Sequence, residues 1–158
     1  MDATCNRMDT WEPDRERYRT LLVVSACLDH RRGLFRILEE LNVEAVVCSN
    51  LSDAREVLCR QTTAVVFCDE NLPDGTYRDL LARRNPGLRI PPIVVIVQSG
   101  EWDKYLEAMR SGVFDAIRHP FTPTDVELVI IHALRTQDHE AASAVAAGHQ
   151  GGQYERAR

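Results

Sequence analysis

Ala64-Val65-Val66-Phe67-Cys68, an unbroken apolar run, ends abruptly in Asp69 and gives way to the turn-rich Glu70-Asn71-Leu72-Pro73-Asp74-Gly75. Apolarity without alternation marks a strand buried on both faces, as the strands of a parallel sheet are. A carboxylate at the carboxyl end of such a strand stands where open α/β sheets place their ligands and chemistry. The bland alternative is that Asp69 only caps or hydrogen-bonds a loop, a common use of strand-end aspartates.

Working outward, four more short runs read as strands: residues 21–24, 43–48, 90–97 and 114–118. The fourth is entered through Pro91-Pro92, where ladder bonding has not begun. Helical spacing fills the gaps between them. After Asp29 come Leu34, Ile37, Leu38 and Leu41; after the candidate caps Asn50 and Ser52 come Ala54, Val57 and Leu58. A short helix over 77–84 closes at Asn85-Pro86-Gly87, and one over 102–111 ends at Gly112. The last starts at Thr122-Pro123-Thr124-Asp125 and runs at least to Arg135. The Ala-rich residues 140–147 either extend it until Gly148 stops it or form a frayed tail.

Strands alternating with helices in this way predict a flavodoxin-like, doubly wound (βα)5 three-layer sandwich. Its parallel five-stranded sheet has the order 2-1-3-4-5. The domain is expected over residues 20–136, preceded by a flexible N-terminal arm (1–19) and followed by a helix extension and disordered tail (137–158).

The bulk composition excludes several classes. The 158-residue chain carries a formal net charge of −5, which leaves no basic footprint for nucleic acid. Charged residues at 27% and apolar ones at 44% fit a globular protein, and no run is long enough to span a membrane. Residues 1–20 lack the apolar core of a secretory signal. The five cysteines are scattered without a C-x-x-C pair, and Cys48 and Cys68 fall inside apolar runs. A reduced, cytoplasmic protein is the expectation.

The pattern of apolar strand, Asp69, two residues, Leu72-Pro73 and Asp74-Gly75 resembles the phospho-acceptor strand of response-regulator receiver domains of two-component systems. The segment from Gly112 to Pro120 fits the same family. The resemblance implies that Asp69 is the phosphorylation site and Asn71 the carbonyl that completes a Mg²⁺ site. It also implies a cis His119-Pro120 bond, which would turn residue 119 toward the acceptor. The family's other functional positions are altered. Its strand-one acidic pair falls on Ser25 and Ala26, its strand-four hydroxyl on Val97, its strand-five aromatic on Ala116 and its lysine on His119. Asp29 lies too far along and is expected to cap the first helix. Glu70, directly after the acceptor, should point the other way. Ser99 is expected out of reach.

Mg²⁺ needs near-octahedral oxygen ligation and dehydrates reluctantly, so Asp69 with Asn71 offers a weak or absent metal site, and no cofactor is expected. The expected function is an atypical, pseudo-receiver-like, stand-alone module acting in signal transduction through protein interaction, with its phospho-switch degraded. In that state Asp69 pairs with His119. The alternative is an ordinary receiver phosphorylated on Asp69 by a histidine kinase. An aspartyl phosphatase or phosphotransferase fits poorly, because Asn71 stands where a second aspartate belongs, and no enzyme activity is expected. Nor do the loops suit a flavin phosphate, and too few residues follow for a DNA-binding output.

The remaining candidates read plainly. Cys27 is taken as an inert thiol, His30 with Arg31-Arg32 as a solvated helix face, and His132 as no metal ligand. Expected partners are a histidine kinase or other signalling protein, and a second copy of the chain through the last helix. Leu128 and Ile131 with Tyr105 form the candidate interface, because a helix packed on one side cannot bury Leu128, Val129, Ile130 and Ile131 together.

Overall fold

A computed structural model describes the backbone of residues 20–82 and 90–156, with side chains through residue 140 and at Ser143. The expectations for the N-terminal arm and for Asn85-Pro86-Gly87 lie outside the described residues. Strands β1 (Thr20–Val24), β2 (Glu44–Cys48), β3 (Val66–Asp69), β4 (Ile93–Gln98) and β5 (Asp115–His119) form one sheet. They alternate with helices α1 (Leu28–Glu40), α2 (Leu51–Arg60), α3 (Tyr77–Ala82), α4 (Trp102–Arg110) and α5 (Pro123–Arg156). The spatial order is β2-β1-β3-β4-β5, every pair parallel, which is the expected 2-1-3-4-5 sheet. A two-residue antiparallel ladder, Asn71–Leu72 against Gly75–Thr76, lies between β3 and α3.

β4 and β5 each sit later in the chain than their apolar runs suggested, and β4 does so because of its prolines. Pro91 and Pro92 have no N–H to give, so the ladder starts after them, with the Pro92 carbonyl accepting from the Val66 N–H at 2.9 Å. The register Asp69↔Ile96 then carries β4 past the end of β3 to Gln98.

The sheet separates two cores. Leu21, Val23, Phe67, Val94, Ile96 and Ile117 face α1 and α5; Leu22, Val24, Val66, Cys68, Val95 and Val97 face α2, α3 and α4. This is the period-2 alternation of a pleated strand with both faces covered. Cys48 and Cys68 are buried as expected, and burial, with Asp69 nearby adding to it, pushes the Cys68 thiol well above its usual range.

α5 buries Val126, Val129, Ile130 and Ala133, with Leu134 partly buried, and leaves Leu128 50% exposed and Ile131 half-buried. Its N-terminus is capped by Thr122 Oγ1, which accepts from the Asp125 N–H at 3.2 Å. Downstream the helix passes Gly148, where the sequence suggested a stop, and takes in residues through Arg156. At α1 the expected cap is replaced: Cys27 occupies the cap position without a side-chain bond, and Asp29 sits in the first turn. There a carboxylate still complements the helix dipole.

α2 has two caps. Asn50 Oδ1 accepts from the Asp53 N–H at 2.8 Å, as expected. Asp74, from the loop after β3, accepts from the Leu51 N–H at 2.8 Å and the Ser52 N–H at 3.0 Å. The Leu51 bond foremost, with Ser52 and the charge of Arg55, holds the Asp74 carboxyl below the usual carboxylate range. Gly75 beside it has φ +149°, and a Cβ there would stand 2.3 Å from Asp79 Oδ2. The carboxylate of Asp74 is favoured by folding, so its stabilisation is present above the unfolded value near ~4 and fades as pH falls through the lower folded one. Asp74→Ala should therefore lower the melting temperature at pH 7, with the gap to the parent narrowing as the pH is taken below the unfolded carboxylate range. A gap of constant size would show that the charge at Asp74 does not matter.

Candidate functional site

The strand alternation also builds the site. Continuing the rows that face α1 and α5 by one step at the carboxyl end of each strand takes 23 to Ser25, 67 to Asp69, 96 to Gln98 and 117 to His119. Four polar residues from four strands thus share one mouth of the sheet. α1 approaches the same mouth with a buried stripe of His30, Leu34, Ile37 and Leu38, spaced as one helical face.

Asp69 is only 6% exposed, yet both of its carboxylate oxygens are partnered. Ser25 Oγ donates to Oδ2 at 2.6 Å and the Ala26 N–H donates to the same oxygen at 3.1 Å. His30 Nδ1 lies 2.8 Å from Oδ1. At 7% exposure His30 is as buried as its partner, and its Nε2 lies 3.0 Å from the Gln98 side-chain nitrogen. In this arrangement the Gln98 amide donates to Nε2, and Nδ1 carries the imidazole proton that Asp69 accepts. Ser25 Oγ also accepts from the Cys27 N–H at 3.2 Å, tying the start of α1 to the site.

An aromatic cluster closes the mouth. The His119 ring lies 4.6 Å from that of His30, and Phe121 meets both edge-on, at 5.1 Å from His119 and 6.0 Å from His30. Phe121 rests over Gly33, where a Cβ would come within 3.1 Å of its ring. A glycine inside a helix costs about 0.5–1 kcal/mol relative to alanine, and the close approach of Phe121 accounts for its use here. The His119-Pro120 bond is cis, as the resemblance implied.

Several sequence-based expectations are corrected. His30 is not on a solvated face: it is buried against Asp69, and the His119 ring lies against it at a 53° tilt in place of the expected Asp69–His119 pair. Val97 does not line the site, because its parity turns it into the core under α2, α3 and α4, and Gln98 lines the site instead. Ala26 contributes only its backbone N–H. In agreement with the sequence reading, Glu70 points away, to Lys104, 3.4 Å from its ammonium, and Ser99 is exposed; the Asn71 side chain is exposed too, its expected contribution having been its backbone carbonyl. Ala116 is partly buried in the second core. The signal that would have found His30 and Gln98 was present: His30 begins the 30-34-37-38 stripe, and Gln98 is two residues beyond Ile96.

Residues present do not suit a resident Mg²⁺. The positions of its two further carboxylates hold a hydroxyl and a methyl, and the oxygens of Asp69 already accept from the chain's own donors. Among the described residues no group of three or more His, Cys, Asp or Glu side chains is arranged to hold a metal ion.

Asp69→Asn keeps the shape but sets an amide against at least one of the donors around it. It should lower the unfolding free energy by about 1–3 kcal/mol in urea titrations. A change of a few tenths or less would mean that the three donors are not engaged in solution.

No family model matches the chain. It is 29% identical over 126 residues to the response regulator protein PilR of Pseudomonas aeruginosa, an alignment covering 78% of this chain and 28% of PilR. It is 28% identical over 125 residues to the hydrogenase transcriptional regulatory protein HoxA of Cupriavidus necator, covering 77% and 25%. The chain thus spans about a quarter of the length of these curated relatives. Among solved structures, the receiver domain of NtrX from Brucella abortus matches with a TM-score of 0.64 at 28% identity, over 73% of this chain and 98% of that domain. No described helix is long and apolar enough to cross a membrane. The sheet order, the aspartate at the end of β3 and these likenesses together give the described part of the chain the fold of a receiver domain and make it similar in sequence to response regulators.

Proposed function

We propose that this receiver domain serves two-component signal transduction as a protein-interaction module held in one state, without a working phospho-switch. One observation carries the reading: the Asp69 oxygens are taken by Ser25, Ala26 and His30, where an acceptor would need a free oxygen and a cation. Phosphoryl transfer depends on positioning and charge neutralisation, and Ser25 and Ala26 supply no carboxylate for the neutralising ion. The module uses no cofactor, binds Mg²⁺ weakly or not at all, catalyses no reaction of its own and works in the cytoplasm. Its partner is a histidine kinase or another signalling protein. The ordinary phospho-accepting receiver is the competing reading. Incubation with acetyl phosphate and Mg²⁺, followed by intact mass, separates the two. No phosphoryl gain is expected, and a gain that Asp69→Asn abolishes would restore the ordinary receiver.

The interaction surface lies on the side of α4, β5 and α5. A groove of about 430 Å³ there is lined by Trp102, Tyr105, Ala116, Leu128 and His132 among others. Trp102 is 60% exposed and stacks on Tyr105 at 5.1 Å, and Leu128 stands beside them. Ile131, half-buried, contributes less than the sequence suggested. Exposed aromatic and aliphatic side chains around one groove are what a protein partner, including a second copy, buries. In sedimentation velocity the parent should be heavier than a monomer and Leu128→Glu should be monomeric. A parent that sediments as a monomer removes the self-association, leaving this face for another protein.

A further inference from the structure

We infer that His30 is a positioning residue that occupies the place of a cation at Asp69, so that this chain excludes Mg²⁺ actively and not only by lacking two acids. The inference rests on the proposed function and adds the residue that enforces it.

The imidazole is fixed from several directions. Nδ1 is engaged with Oδ1 of Asp69 on β3, and Nε2 with the side chain of Gln98 on β4. The His119 ring from β5 lies against it at a 53° tilt, 4.6 Å between centroids, and Phe121 abuts the ring edge-on while seated over Gly33, three residues along α1 from His30. For a cation to reach Oδ1 the ring must leave, which breaks two hydrogen bonds and unpacks two aromatic neighbours. A ligand shifts such an arrangement only by what it gains over the groups it displaces. The charged neighbours do not help a cation: Glu70 is engaged by Lys104, and the other oxygen of Asp69 accepts from Ser25 and Ala26.

The test restores the missing acids and then removes the histidine. Calorimetric titration with Mg²⁺ is run on the full chain carrying Ser25→Asp/Ala26→Asp, and on the same chain with His30→Leu or His30→Asn added. Both added changes delete the ring and its packing, but asparagine can still donate to Oδ1 whereas leucine cannot. The leucine variant should bind Mg²⁺ roughly ten- to a hundredfold more tightly than the double variant, the weight of one hydrogen bond to a charged group. The asparagine variant, which keeps the donor to Oδ1 but not the Gln98 bond or the ring packing, should fall between the two. Equal affinity in the double and leucine variants, whether tight or undetectable, overturns the inference, and so does an asparagine variant as tight as the leucine one.

The unaltered chain gives a second readout that does not depend on those variants folding. Its proton NMR spectrum should contain a far-downfield exchangeable imidazole proton coupled to Nδ1 of His30, lost in Asp69→Asn and kept in His119→Ala. Absence of that resonance from the parent also overturns the inference. A phosphoryl mass gain on the unaltered chain, together with tighter Mg²⁺ binding in the leucine variant, would defeat the proposed function while leaving the role of His30 standing.

Discussion

A carboxylate buried at the mouth of a parallel sheet must be satisfied by something, and here the chain satisfies Asp69 by itself. An unpartnered buried charge is far more expensive than an unpartnered amide or hydroxyl. Ser25, the Ala26 N–H and His30 provide three donors, which distribute over both oxygens. Each comes from β1, the turn after it, or α1, so one buried anion draws the first third of the domain against β3. A buried carboxylate with its donors is weak evidence for net stability, but removing one partner is destabilising. The contact therefore acts as a constraint on arrangement: β1, α1, β3 and, through Gln98, β4 have one mutually satisfied geometry at this end.

The packing outside the site reinforces that geometry. Lys104 on α4 reaches Glu70 after β3 and Glu101 at the cap position before its own helix, and Arg78 on α3 pairs with Glu107 on α4. These are exposed pairs, each worth little alone. Their placement matters more than their energy, because they tie α4 to the loop after Asp69 and to α3. The Asp74 cap links that same loop to the start of α2.

Much of this was legible in the sequence, and the errors at the site share one cause. The five strands, the sheet order, Asp69, the Asn50 cap, the start of the last helix at Thr122-Pro123, the Gly112 turn and the cis His119-Pro120 bond follow from local chemistry or from the family pattern. Gly112 has φ +98°, the backbone its position as a helix stop requires. What failed was the facing of residues at the sheet mouth. Matching positions to the family pattern put Val97 and Ala116 in functional places, whereas strand parity places both against the second core. His30 looked solvated because arginines follow it, although the 30-34-37-38 stripe places it inside. Asp74 capping α2 had no local signal at all, since its partners lie more than twenty residues earlier.

The same parity bears on what this receiver-like domain could transmit. A switch needs an element with two arrangements whose balance an event at the site can change. Ala116 has no ring to rotate between inner and outer positions, and Tyr105 beside it is stacked on Trp102 with only 12° between the ring planes. Val97 is packed on the side away from Asp69 and has no hydroxyl to report on it. The groove near α4 and α5 is therefore bordered by side chains with little freedom to follow events at Asp69. On the proposed reading this is consistent at both ends: His30 fixes the site, and the groove presents one surface whether or not a signal arrives.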